Sequence, residues 1–502
     1  MEVRLSTAAA ECCRRVYSQT VRKEESQDSV VPDTLPDIGE VLCTTGDALI
    51  RSKDVTAGRL CIEANVPAHV CCVPEEGGAP FVLEVNLPFA FTAEDEAIPE
   101  GGLCTAVLRL TALDTRVLNP RKVSVRAEVE FSVRCRESAK RAVCAAPERP
   151  ETGDIQTRER ELQFSAALAV TEKTFVLTDE LEPPEGLAAR CILGRKTRVE
   201  TEELRTVGSK IVVKGRAESR LLVLDADGKI AAAEFSTPFS QILEADTLPE
   251  NAVLTVDIGP SGTYYELTTA GRVEMELHLV AQAVVRGTQT LRCLTDAYSN
   301  AFTLESERRA ERFALIRRET ELPGVLRVRF PTAEPPVEIV TVCADAAAPT
   351  VNGGSVSLPL SVLLVWRTEA GGVRAARRSF TLECAAELAA GEHLLVSSAS
   401  LTEITASPSE GGAELCAAAT LRALVYTEED VQCITALRYD ENAPTDLASR
   451  PALVLLRADS GSDLWSIARD NCSTVAAIRA ANRLDEAPEG WSRLLLIPKT
   501  PV

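Results

Sequence analysis

Apolar and polar residues alternate over most of the chain before Leu453. Between Lys122 and Phe131, every second side chain is apolar and those between are polar or charged. Because successive side chains of a strand point to opposite faces, this run predicts a strand with one buried and one wet face. Similar runs, rich in Val, Leu and Thr, are separated by Gly, Pro, Asp and Asn turns. The pattern predicts a mainly β protein with antiparallel, sandwich-like domains.

A strand, an acidic glycine turn and a second strand recur along the chain. The first copy follows Thr56-Ala57-Gly58-Arg59, with two strands expected up to Val73, and ends at Pro88-Phe89. The second copy ends at Pro238-Phe239, and a third runs from Asn352 through Phe380 without a Pro-Phe pair. Recurrence at domain-sized spacing predicts three related modules.

The sequence after Leu453 follows a different pattern, which predicts a small α/β module with the order β-α-α-β. Strands are expected at Leu453–Leu456 and Leu494–Pro498. Ser462 is expected to cap a first helix, and Ser473 or Thr474 a second. Side chains expected to point inward are Leu464, Ile467, Ala468, Ala477, Ile478 and Ala481. Trp465 is expected in the core rather than on a ligand surface.

These patterns, with stretches dense in Glu, Arg and Pro, predict the domain boundaries. The segment from Leu304 to Arg318 is compatible with a helix or with a charged strand. The predicted order is β domain 1 at 20–138, a linker at 139–160, β domain 2 at 161–302, a divergent β domain 3 at 303–440, a linker at 441–452 and the α/β module at 453–500.

Composition excludes several classes of function. The formal charge of -20 argues against a general nucleic-acid or membrane surface, and no apolar run is long enough to span a membrane or form a signal peptide. We therefore expect a cytoplasmic protein whose sixteen cysteines are mostly buried, free thiols. No familiar catalytic motif occurs, so no catalytic residue, cofactor or metal is predicted. His69 beside Cys71 and Cys72 is interpreted as packed core rather than a thiolate pair.

Three strings in the β region carry a family resemblance. They are Val31-Pro32-Asp33-Thr34-Leu35-Pro36-Asp37-Ile38-Gly39, Asn119-Pro120-Arg121-Lys122 and Asp296-Ala297-Tyr298-Ser299. Together with the triplication, they resemble the SPOCS domain of SipL-like spore-coat assembly proteins over residues 20–440. The third copy departs most, because Leu437-Arg438-Tyr439-Asp440 stands where the last string would be. From the residues alone, the strings are compatible with turn geometry or with a ligand site, and no basic partner for Asp33 and Asp37 is expected nearby.

The C-terminal module is similar to a LysM domain in its element order and in three strings. These are Gly461-Ser462-Asp463-Leu464-Trp465, Ala480-Ala481-Asn482-Arg483-Leu484 and the closing Leu-x-Ile-Pro. The resemblance implies a groove for N-acetylated glycans, lined by Gly461, Ser462, Asp463 and Leu464 on one side and Leu484, Asp485, Pro488 and Glu489 on the other, with Trp491 at its edge. Ser462 and Trp491-Ser492-Arg493 depart from the family pattern, which favours a protein partner.

The resemblance implies a non-catalytic scaffold or adaptor in spore-coat assembly. It would act in the mother cell at the forespore surface and bridge coat proteins to the basement-layer ATPase. The alternative is a cell-wall protein that binds peptidoglycan or another N-acetylglucosamine polymer, for which the glycan must be accessible. An enzyme with an unfamiliar β-rich site would instead require a deep pocket lined by convergent polar groups.

Overall fold

A computed structural model describes residues 2–147, 155–484 and 492–500. The chain is mainly β, and every strand pairing in these ranges is antiparallel, which confirms the coarse fold prediction. Strands group into three repeats, named repeat 1 (5–147), repeat 2 (155–299) and repeat 3 (302–444), followed by the C-terminal module (453–498).

Repeat 1 is preceded by the short strand β1 (Glu2–Val3). Its own strands are β2 (Leu5–Val30), β3 (Ile38–Thr45), β4 (Leu49–Thr56), β5 (Arg59–Pro74), β6 (Phe81–Glu94), β7 (Leu103–Asn119) and β8 (Lys122–Pro147). One sheet has the order β2-β8-β7, and in the other β5 is the central strand, paired with β3, β4 and β6. The first strand of the repeat therefore pairs with the last, which closes the repeat on itself.

Repeat 2 has the same arrangement, except that one strand, β10, takes the place of β3 and β4. Its strands are β9 (Ile155–Leu181), β10 (Ala189–Val207), β11 (Lys210–Asp225), β12 (Ile230–Glu244), β13 (Val253–Leu267) and β14 (Val273–Ser299). The sheets have the orders β9-β14-β13 and β10-β11-β12. Phe239, from the second Pro-Phe pair, lies in β12 and is buried, as Phe89 is in β6.

Repeat 3 copies the arrangement once more. Its strands are β15 (Phe302–Pro331), β16 (Pro336–Ala346), β17 (Thr350–Asn352), β18 (Ser355–Thr368), β19 (Val373–Ala385), β20 (Glu392–Ser409) and β21 (Gly412–Pro444). β21 pairs with β15 and β20, and β18 pairs with β16, β17 and β19. β21 also pairs with β1, so the start of the chain joins the last repeat.

Each repeat buries its apolar side chains between its two sheets. In β8, Val123, Val125, Ala127, Val129 and Phe131 are fully buried, so the expected apolar face is confirmed. The opposite face of β8, which was expected to be solvent-exposed, is partly covered. Glu130 is 3% exposed because repeat 3 packs over it, and its Oε1 accepts a hydrogen bond of 2.7 Å from the Ala348 backbone N–H.

The three repeats also pack against one another. One shared cluster joins Val143 of repeat 1, Phe164 of repeat 2 and Phe313 of repeat 3. Between the repeats, the ammonium of Lys196 in repeat 2 lies 2.9 Å from Asp47 of repeat 1 and also pairs with Asp345 of repeat 3. The repeats therefore form one body with both apolar and ionic contacts.

Several sequence-based expectations change. Of the two alternatives left open for the segment Leu304 to Arg318, the structure has the charged strand. One continuous strand, β5, replaces the two strands expected before Val73, because the Ala68, Val70 and Cys72 side chains continue the buried face of the strand. Strand β8 occupies 139–147 of the first predicted linker, and β9 occupies 155–160. Strand β21 extends to Pro444, into the second predicted linker. The reason is the same in both places: the paired long strands continue beyond the repeat cores.

The C-terminal module contains β22 (Leu453–Asp459), α1 (Leu464–Asp470), α2 (Val475–Asn482) and β23 (Ser492–Pro498), with β22 and β23 paired. No helix in the described part of the chain is long and apolar enough to cross a membrane. All sixteen cysteines are free, and ten of them are buried.

Candidate docking site of the C-terminal module

The last residues of β14 form a contact surface for the C-terminal module. Asp296 accepts hydrogen bonds from the Trp465 indole Nε1 at 2.7 Å and from Arg469 Nη1 at 3.0 Å, both on α1. From the other side, Arg308 Nη2 of β15 donates to the same carboxylate at 2.7 Å. One carboxylate therefore links repeat 2, repeat 3 and the module.

The electrostatics of Asp296 follow from this arrangement. Burial raises the pKa of the Asp296 carboxyl, but hydrogen bonds from Trp465 and Arg308 and the charges of Arg308 and Arg469 outweigh it. The pKa therefore lies below its ordinary value, and the group is ionised at neutral pH.

Tyr298, two residues further along, completes the contact. Its ring packs edge-on against Trp465, with the ring centroids 4.8 Å apart, and its hydroxyl donates to the Ser473 backbone carbonyl at 3.0 Å. Asn300 Nδ2 donates to the same carbonyl at 3.3 Å. Burial raises the pKa of Tyr298 to about 12, so the hydroxyl remains a donor. Tyr298 belongs to the same buried cluster as Ala468 and Ile478 of the module.

Local sequence explains why α1 presents these groups. Asp463, not Ser462, is the N-cap of α1, and its side chain accepts from the Trp465 backbone N–H at 3.3 Å and from Ser466 Oγ at 2.7 Å. Ser462 instead closes the preceding turn with Asp459. Thr474 caps α2 by accepting from the Ala477 N–H at 3.1 Å.

The predicted inward residues of the module are mostly confirmed. Ala468 and Ile478 are buried, whereas Ala481 is exposed and Val475 packs into the cluster in its place. Trp465 is only half-buried, because its ring contacts Tyr298 of repeat 2. The expectation of an indole in the module's own core is therefore wrong in part, since the ring lies at an interface.

The structure describes only part of the predicted groove. Gly461 donates its N–H to Asp459 Oδ1 at 3.0 Å, and the carboxylate of Asp463 lies 3.3 Å from Arg158 of repeat 2. Leu464 and Leu484 both pack against the module's cluster. Asp485, Pro488, Glu489 and Trp491 lie outside the described residues.

The other two sequence strings meet in repeat 1, where β2 ends and β8 begins. Arg121 Nη1 donates to the Leu35 carbonyl at 2.7 Å, and Nη2 donates to the Val31 and Pro32 carbonyls at 3.0 Å each. The same guanidinium lies 3.3 Å from Asp33 and 3.1 Å from Asp37. Asp33 and Asp37 therefore have a basic partner, contrary to expectation, and serve the turn and not a carboxylate pair. We name this arrangement the Arg121 clamp.

His69 and the cysteines beside it, weighed in the sequence as a possible thiolate pair, are in their neutral forms. Burial, with a contribution from the charge of Arg195, lowers the pKa of His69 to about 3, and burial raises the pKa of Cys72 to about 12. A thiolate and imidazolium pair is thus disfavoured. Among the described residues, no group of three or more His, Cys, Asp and Glu side chains is placed to hold a metal ion.

A polar cavity of about 250 Å³ lies where the three repeats meet, and Asp47, Lys196 and Asp345 are among its lining residues. Burial lowers the pKa of Lys196, but the two carboxylates outweigh it and hold the pKa above its ordinary value. The ammonium therefore stays protonated and does not serve as a general base at neutral pH.

Comparisons with models of known protein families, with curated proteins and with solved structures found no match to this chain.

Proposed function

We propose that the protein is a non-catalytic scaffold for assembly of the bacterial spore coat. In this proposal, the repeats are sandwich-like SPOCS domains and the C-terminal module is a LysM domain. The observation that carries the proposal is the contact of Asp296 and Tyr298 with Trp465. Through this contact, the string Asp296-Ala297-Tyr298-Ser299 holds the module in a fixed position. A module in a fixed position presents one constant surface to a partner.

The contacts of Asp463 favour a protein partner over a glycan. A sugar ligand is oriented by a few polar groups in its pocket. On the described side of the predicted groove, the Asp463 carboxylate is already used by Trp465, Ser466 and Arg158. A polar group that neighbouring protein already satisfies has less to offer a sugar.

The partner and location follow from the family resemblance. We propose that the module binds the basement-layer ATPase of the coat in the mother cell, at the forespore surface. From Leu453 onward, six basic residues balance six acidic ones, unlike the rest of the acidic chain. A near-neutral module whose sequence includes a tryptophan, Trp491, has the composition of a protein interface.

The test uses the full chain as bait in extracts of sporulating cells, with the Trp491→Ala variant beside it. The variant is expected to weaken recovery of the basement-layer ATPase by about 1 kcal/mol or more, which is roughly a fivefold loss of affinity or greater. Circular dichroism should show the same fold for both chains.

Sedimentation with purified peptidoglycan, and binding of chitin oligomers, test the alternative in parallel. Tight glycan binding together with normal recovery of the ATPase by the Trp491→Ala variant would show that the module is a glycan receptor and not an adaptor. Weak glycan binding and reduced ATPase recovery would support the proposal.

A further inference from the structure

Arginines converge where the outer face of repeat 1 meets repeat 2. Arg15 of β2 lies directly opposite Arg136 of β8 in the strand register, and Arg134 lies two residues away on the same face of β8. Arg286 of β14 is on the outer face of repeat 2, because its neighbour Val285 points into the core. Arg15, Arg134, Arg136 and Arg286 are named the arginine cluster.

A side-chain contact fixes the two repeats together beside this cluster. The Gln282 side chain of β14 donates to the Ala106 carbonyl and accepts from the Ala106 N–H of β7, both at 2.7 Å. Gln282 and Arg286 lie on the same outer face of β14, four residues apart. The cluster is therefore part of the packed interface between repeats.

The arginine cluster lacks the carboxylates that usually neutralise such a group. Among the described residues, none of its four members forms an ion pair within 4 Å, although Arg286 donates to Thr255 Oγ1 at 2.9 Å. Arg136 is 6% exposed, and its Nη1 has no hydrogen-bond partner among those residues. Like charges directly opposite each other on paired strands are destabilising.

The charges of neighbouring guanidinium groups lower the pKa of two members of the arginine cluster. Burial, together with the charges of Arg134 and Arg15, lowers the pKa of Arg136. Burial and the charges of Arg136 and Arg134 lower the pKa of Arg286 to about 10. Arg136 and Arg286 still carry positive charge at neutral pH, so a compensating anion would stabilise the interface.

Only part of that compensation comes from the protein. Asp257 faces the cluster, but it is shared with Arg109 as well as with Arg134 and Arg286. Two further acids of β8, Glu130 and Glu137, already pair with Arg22 and Arg14, respectively, and Glu130 also accepts from the Ala348 N–H. Positive charge is therefore in excess at this one interface, in a chain whose formal charge is -20.

We propose that the arginine cluster binds a phosphoryl group, either as free phosphate or as a diphosphate. Guanidinium forks match the geometry of phosphate oxygens and bind them through paired hydrogen bonds. Arg15 is exposed and provides the entrance, whereas Arg136 lies at the base with an N–H available. A ligand held between them would join repeats 1 and 2. This binding activity lies beyond the scaffold function proposed above.

Isothermal titration calorimetry of the full chain with inorganic phosphate and with pyrophosphate, at constant ionic strength in chloride, tests the proposal. Pyrophosphate is expected to bind more tightly than phosphate, because it can contact more of the four guanidiniums. Arg136→Gln should weaken binding at least about tenfold, since it removes charged hydrogen-bond donors. The matched control is Arg126→Gln on the same strand, where Arg126 pairs with Glu24 at 3.4 Å on the exposed face.

Arg15→Gln, at the exposed entrance, provides a second variant if Arg136→Gln fails to fold by circular dichroism, and it should also weaken binding. The proposal is overturned if neither anion binds the full chain, or if the folded cluster variants bind as tightly as the Arg126→Gln control.

Discussion

The indole Nε1 of Trp465 donates a hydrogen bond of 2.7 Å to the carboxylate of Asp296, a residue 169 positions earlier in the chain. Arg308 and Arg469 bind the same carboxylate, so a single acidic side chain joins two repeats and the C-terminal module.

Tyr298 contributes its ring and its hydroxyl separately. Tyr298→Phe removes only the hydrogen bond to the Ser473 carbonyl and is expected to destabilise the docked module by about 1 kcal/mol. Tyr298→Ala also removes the ring against Trp465 and should cost about 3 kcal/mol or more. Hydrogen exchange of the amides in α1 and α2 measures both values locally. Equal protection in the two variants would contradict a packing role for the ring.

Arg121 holds the Val31–Gly39 string in place through three carbonyls and two carboxylates. Arg121→Gln should destabilise repeat 1 by about 1–3 kcal/mol, because several charge-assisted hydrogen bonds are lost together. Arg126→Gln, which removes an exposed ion pair, should cost less than about 1 kcal/mol. Denaturant unfolding and hydrogen exchange of the amides in β3 and β8 compare the free energies of unfolding of the two variants. A larger loss of stability in Arg126→Gln than in Arg121→Gln would contradict the clamp.

The depressed pKa of Asp296 predicts a pH dependence of docking. The ionised form contributes stability above the unfolded-state pKa of about 4, and this contribution is lost as pH falls through the lower folded-state pKa. Protection of α1 in the wild-type chain should therefore fall more steeply below about pH 4 than protection in Asp296→Asn. Parallel pH curves for the two chains would exclude Asp296 as the responsible group, since all other acids titrate in both.

Local sequence pattern predicted the parts of this structure that depend on one strand or helix. The alternation from Val123 to Phe131 identified the buried face of β8, but it carried no information that repeat 3 would cover Glu130 on the opposite face. Helical spacing likewise placed Trp465 on an inner face. Periodicity does not reveal what that face contacts, and its partner Tyr298 comes from another part of the chain.

The helix caps show a finer limit. Ser462 and Asp463 are both good N-cap residues, so composition alone does not decide between them. Ser462 instead bonds within the turn with Asp459, which leaves Asp463 to cap α1.

The strings Val31–Gly39 and Asn119–Lys122 lie far apart in the sequence. They meet at Arg121 because β2 pairs with β8, and local sequence does not specify that pairing.

A double-mutant cycle between Asp296→Asn and Trp465→Phe tests the central claim most directly. Trp465→Phe keeps an aromatic ring against Tyr298 but removes the Nε1 donor, and Asp296→Asn removes the charge. Hydrogen exchange of α1 in the wild type, both single variants and the double variant gives the coupling free energy. Docking through this contact predicts a coupling of about 1 kcal/mol or more. A coupling indistinguishable from zero, with α1 equally protected in all four chains, would contradict it.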